Sequence, residues 1–126
     1  MADDLPRVYL GVLNAFLSYC DGIRYDSTHV HEEERLEQIT PSDIVRYFNF
    51  KCYGVEDPNS EMVPTQCWSN SVLYWKKAIS YYMPQKMEVW NSRLQVGNPT
   101  RSREVNSMVK RLKKFEVRRQ GVPSLA

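Results

Sequence analysis

The sequence predicts an all-α fold, a compact bundle of four to five helices forming one domain over residues 1–126. Three observations point there. Apolar residues recur at helical spacing in four separate segments, and these segments are bounded by capping residues, prolines or glycines. No apolar/polar alternation of useful length marks a strand, and there are no repeats or low-complexity tracts. A chain of 126 residues, 42% hydrophobic and 25% charged, suffices for one modest core.

The first helix is expected over about residues 5–20, with Asp3 or Asp4 as N-cap and Pro6 in its first turn. Tyr9, Val12, Leu13, Phe16, Leu17 and Cys20 make its apolar stripe. Its other face carries Arg7, Gly11, Asn14 and Ser18, which is polar yet almost uncharged. Residues 21–38 lack a sustained period and read as a loop with room for one helical turn. A sharp start follows: Thr40 can cap, Pro41 suits the first helical position and Asp43 completes a capping-box pattern. The second helix therefore spans about 41–53, buries Ile44, Tyr47, Phe48 and Cys52, and stops at Gly54.

"VEDPNSEMVPT" is turn chemistry. The third helix, about 69–83, buries Val72, Trp75, Ile79 and Tyr82 and ends before Pro84. Its opposite face aligns Asn70, Tyr74, Lys77 and Tyr81. After the irregular "QKMEVWNSRLQVGN", Asn98 or Thr100 can cap a fourth helix over about 99–119, ended near Gly121 and Pro123. Val105, Met108, Val109, Leu112 and Phe115 form a stripe flanked by cations, a regularity that a disordered tail would not keep.

Charge is divided unevenly. Residues 1–62 hold 5 Lys/Arg against 12 Asp/Glu, whereas residues 63–126 hold 12 against 3. Such a split implies an anionic partner for the second half, nucleic acid or an anionic membrane surface, although Lys and Arg beside an apolar stripe also serve simply to keep a helix soluble. In the third helix the cations are interleaved with Tyr and Trp, and Asn70 and Ser71 stand in its first turn, where short polar side chains can reach base edges or phosphates. Trp75 reads as core rather than as a stacking platform. Peripheral membrane binding is the weaker alternative, because the core should claim the apolar stripe.

Several classes of chemistry find no footing. There is no Gly-rich phosphate loop, G-x-S-x-G, H-E-x-x-H or paired catalytic carboxylates, and a Cys20–His29 nucleophilic pair has no support from spacing. Cys20, Cys52 and Cys67 stand far apart without a C-x-x-C pair, so neither a disulfide framework nor a zinc site is expected, and His29 and His31 read as exposed loop residues. No metal, cofactor or small-molecule substrate is assigned. The apolar runs are too short to span a bilayer and "MADDLPRV" is acidic where a signal peptide is basic. The expected location is the nucleus in a eukaryote and the cytoplasm otherwise, not outside the cell.

"ITPSDIVRYFNF", "SNSVLYWKKAISYYMP" and "GNPTRSREVNSMVKRLKKFEVRRQG" together resemble, in order and spacing, the N-terminal core-binding (SAM-like) domain of tyrosine recombinases and phage integrases, closest to the Cre and Crypton-type recombinases. The matching positions are Tyr9, Leu13, Phe16, Tyr19 and Cys20 in the first helix and Thr40, Pro41, Asp43, Ile44 and Tyr47 in the second. Ser69, Val72 and Leu73 match in the third, and Ser102, Val105, Lys110, Leu112 and Lys114 in the last. Each motif is degenerate and only their succession is specific; it covers roughly residues 5–121.

The resemblance implies one jaw of a clamp around duplex DNA in site-specific recombination or transposition of mobile elements, with self-association on DNA a further expectation. It places Arg7, Asn14, Asn70, Tyr74, Lys77 and Tyr81 near the groove and Lys76, Arg101, Arg103, Lys110, Arg111 and Lys114 on phosphates. The catalytic Arg/Lys/His/Arg set and nucleophilic Tyr have no counterpart, nor does the additional leading helix of the Cre branch, and residues 119–126 are expected to begin a linker to the catalytic half. Binding without cleavage is the expectation. A helical protein-interaction module, its acidic first half meeting a basic partner, is the alternative.

Overall fold

The computed structural model describes the backbone of residues 4–124 and the side chains of residues 7–117. Five α-helices appear among them: α1 (Asp4–Asp21), α2 (Glu33–Glu37), α3 (Pro41–Tyr53), α4 (Ser69–Tyr81) and α5 (Arg103–Ser124). A 3₁₀ turn, Pro99–Arg101, precedes α5. Among the described residues there are isolated bridges, Val89–Asn98 and Asn91–Val96, but no strand, so the all-α class holds.

α1 packs on α4 and α3, and α5 packs on α3 and α4. The core lies where these four meet: Phe16 and Leu17 of α1, Ile44 and Phe48 of α3, Val72 and Ile79 of α4 and Val105 and Leu112 of α5 are fully buried. Burying each such side chain stabilises by about 1.5–3 kcal/mol, the term that opposes the entropy of ordering four helices.

The boundaries of α3 follow from local chemistry. Thr40 accepts from the Asp43 amide at 3.2 Å while the Asp43 carboxylate accepts from the Thr40 amide at 3.1 Å. At the other end Gly54 adopts φ 81°, which closes the helix with a bond from its amide to the Phe50 carbonyl at 2.9 Å. α4 starts differently, because Trp68 at its N-cap supplies no side-chain cap bond. The carboxylate of Glu116, on α5, accepts from the Ser69 amide at 2.5 Å and from the Ser69 hydroxyl at 2.8 Å. An anion from another helix thus satisfies the positive end of α4 and fixes it against α5.

Four expectations need correction. The Gly11, Asn14 and Ser18 part of α1's polar face does not look outward, because the strap of residues 22–31 lies over it, whereas Arg7 is exposed. Asn14 is 1% exposed and its amide donates to the carbonyls of Ser27 and His29 at 3.1 and 2.9 Å. Irregular backbone laid over a helix leaves carbonyls without partners, and an amide side chain is what such a site selects. Secondly, Cys52 and Cys67 are paired in a disulfide, with Cα atoms 4.8 Å apart. The turn after α3 doubles back so far that Thr65 and Gln66 both donate to the Cys52 carbonyl at 3.0 and 3.1 Å, a return that spacing along the chain does not reveal.

The third correction concerns the expected fourth helix, which is broken at Ser102. Its φ of −108° and ψ of 160° separate the 3₁₀ turn from α5, and its hydroxyl accepts from the Val105 amide at 3.3 Å. Finally, α5 runs through Gly121 and Pro123 to Ser124 instead of ending near 119; residues 125–126 lie outside the described part, as does the N-cap candidate Asp3.

Candidate nucleic-acid interface

The exposed face of α4 carries Asn70, Tyr74, Lys77 and Tyr81, as their spacing predicts. Tyr74 and Tyr81 are 40% and 39% exposed, yet neither ring is loose. Both stand edge-on to the buried ring of Tyr9 from α1, at centroid distances of 5.9 and 5.5 Å. The Lys86 ammonium lies over the Tyr81 ring at 4.7 Å.

Beside this face runs an open groove between α4 and the 3₁₀ turn. Tyr9, Leu73, Tyr81 and Met87 give it an apolar floor, Lys76, Lys77 and Arg101 a cationic rim, and no carboxylate lines it. Arg101 is held by a bond from its guanidinium to the Met87 carbonyl at 2.5 Å. Lys76 donates to the Asn106 side-chain oxygen on α5 at 2.9 Å. Burial holds the Lys76 ammonium below the ordinary lysine pKa, and the positive charges of Lys113 and Arg101 push the same way. Cations from α4, the turn and α5 therefore repel one another across a short span, an arrangement that an anion in the groove relieves.

Two of the second half's three acids are kept away from that groove, while the third, Glu88, is exposed next to Met87. Glu116 is committed to the start of α4. Glu104 lies instead with Glu56 and Asp57 beside α3. Glu32, Glu33, Glu34 and Glu37 are exposed on and just before α2, so the acidic first half has its own surface.

The remaining candidates divide. Arg103, Lys110 and Lys114 are exposed on α5, and Lys110 and Lys114 share a shallow patch with Lys113 and Val117. Arg7 is exposed on α1. Asn14 cannot reach a groove from its buried site, and Arg111 is tied down: its guanidinium donates to the Asn59 carbonyl at 2.6 Å and lies over the rings of Tyr53 and Phe115 at 5.2 and 5.9 Å. A phosphate contact at Arg111 would sacrifice the bond that anchors the 54–68 turn. Sequence reasoning missed Lys86, Met87 and Lys113, the first two because they lie in a segment without any period.

His29 is exposed and stacks on Tyr25 at 4.8 Å, whereas His31 is half-buried with its Nε2 2.6 Å from the Asn14 side-chain oxygen. Asn14 uses its amide nitrogen on the strap, so His31 must donate here. Among the described residues no group of three or more metal-ligating side chains is placed to hold an ion, and no helix is long and apolar enough to cross a membrane. No protein-family model, curated protein or solved structure matches the chain.

Proposed function

We propose that this chain is a DNA-binding domain of the tyrosine recombinase and phage integrase kind, with their SAM-like core-binding fold, gripping duplex DNA without catalytic residues of its own. One observation carries the reading: Lys76, Lys77 and Arg101 rim a groove that no carboxylate lines, while Glu104 and Glu116 of the same half are committed elsewhere. Electrostatic attraction to phosphates supplies sequence-independent affinity, to which Arg103, Lys110 and Lys114 on α5 add. Sequence preference comes from the exposed face of α4, where Asn70 can offer an amide to a base edge. Asn14 and Arg111 drop out of the DNA-contacting set and become parts of the frame.

The test is a binding titration against a duplex site selected from random sequences and against a scrambled one. If ~4 to 6 phosphates are neutralised, log K falls against log salt with a slope of about −4 to −5. Lys110→Ala and Lys114→Ala weaken both duplexes alike, each reducing the slope by about one unit. Asn70→Ala flattens discrimination by ~1 to 3 kcal/mol. A flat salt response overturns the reading and moves a protein-interaction role ahead.

A further inference from the structure

The groove beside α4 has a feature that duplex phosphates do not require. Cations alone suffice to hold a phosphate backbone, yet here the rim of Lys76, Lys77 and Arg101 surrounds an apolar floor. In a duplex the faces of the bases are stacked on one another, and a protein ring outside the helix reaches only edges. An unpaired strand offers both phosphates and base faces. We infer that this groove takes unpaired single-stranded DNA, a base stacking on Tyr81 within it and the next on Tyr74 along the adjoining face of α4, while its phosphates meet Lys76, Lys77 and Arg101; the inference rests on the nucleic-acid reading above.

Three observations support it. Tyr74 and Tyr81 are two helical turns apart, about 10 Å along α4, with Lys77 on the face between them; Tyr81 and Lys77 line the groove and Tyr74 continues the row on the adjoining exposed face, so ring and cation alternate along that face. Both rings are oriented from beneath by Tyr9, itself 4% exposed, which means the platform exists before any ligand arrives. Lastly, Met87 is 80% exposed at the groove, although its backbone is fixed by Arg101. Its neighbour Lys86 brings a further cation to the Tyr81 ring. An apolar side chain on a fixed backbone next to edge-to-face rings and cations is complementary to a base with its phosphate, and no carboxylate lines the groove to oppose either.

Fluorescence anisotropy of the whole chain with three labelled probes tests this: an oligothymidylate of about twelve nucleotides, a strand of the same length made of abasic sites, and a blunt duplex. The abasic strand keeps the phosphates and removes the faces. We expect the oligothymidylate to bind about ten- to a hundred-fold tighter than the abasic strand, Tyr81→Ala to remove most of that margin, and Tyr81→Phe to keep it. Equal binding of the two strands overturns the inference. So does binding of the duplex alone, an outcome that leaves the proposed function standing, while failure to bind any probe removes both. If circular dichroism shows that Tyr81→Ala does not fold, the abasic comparison on the unaltered chain and Tyr81→Phe decide the matter.

Discussion

Replacing Glu116 by alanine removes the anion that caps α4 from another helix. The Ser69 amide and hydroxyl lose acceptors at 2.5 and 2.8 Å, and Ser69 is only 4% exposed, so water cannot readily take the carboxylate's place. Truncating an ordinary N-cap costs about 0.5–2 kcal/mol, and leaving a buried donor without a partner costs about 1–3 kcal/mol. Glu116 itself is half-exposed, which reduces the electrostatic part. Together these predict a loss of about 2–3 kcal/mol for Glu116→Ala and about 1 kcal/mol for Glu116→Gln, which keeps an acceptor and drops the charge. Urea denaturation at neutral pH reads both, and an unchanged m-value confirms that the native state alone is affected. A double-mutant cycle with Ser69→Ala isolates the hydroxyl bond and should give a coupling of about 1 kcal/mol. A change below about 0.5 kcal/mol for Glu116→Ala would refute the reasoning, since α4 would then be held by packing without its cap.

Leu112→Ala should cost ~2 to 5 kcal/mol in the same assay, because Leu112 is fully buried among α3, α4 and α5; rapid proteolysis after residue 98 with a stable remainder would contradict it. His31 predicts a pH dependence: burial first, then the charges of His29 and Arg35, hold its imidazole below its ordinary pKa of 6.5, against the opposing pull of Asp21. Between the folded value and 6.5 the unfolded chain binds more protons, so this contribution is fully present above about pH 6.5 and is lost as pH falls through the folded value. Comparing stability from pH 8 to 5 for the unaltered chain and His31→Gln should show the steeper fall in the former; parallel curves would sink the assignment.

How far the fold could be read in advance depended on whether its determinants were local. The capping box of Thr40 and Asp43 and the stop at Gly54 act within one turn, so α3 appears where the sequence puts it. Period alone located the stripes of α1, α4 and α5, because burial against any neighbour requires the same spacing. What escaped were pairings across long separations. Glu116 looks like a minor exception in a cationic helix until Ser69, 47 residues earlier, is placed beside it. Asn14 carries the instructive error: the resemblance places it near a DNA groove, whereas its partner is the chain's own strap. Arg111 teaches the same lesson for cations, since nothing local distinguishes an arginine that anchors a turn from the lysines beside it.

The loop between α4 and the 3₁₀ turn sets a length as well as a connection. Gly97 has φ 108°, and a Cβ there would stand 2.5 Å from the Val89 carbonyl oxygen. Next to it Asn98, fully buried, donates to the Ser80 hydroxyl and the Lys86 carbonyl at 2.8 and 2.9 Å and accepts from the Thr100 amide at 3.0 Å. The Asn98 side chain thus closes the segment, joined by main-chain bonds from the Asn98 amide to the Glu88 carbonyl at 2.9 Å and from the Trp90 amide to the Arg101 carbonyl at 3.3 Å. The interval between the cations of α4 and those of α5 is therefore gauged by a clasp centred on one buried asparagine and one glycine. The exposed cations of the two helices can change identity while their spacing persists, whereas one inserted residue or any side chain at position 97 shifts every α5 cation at once.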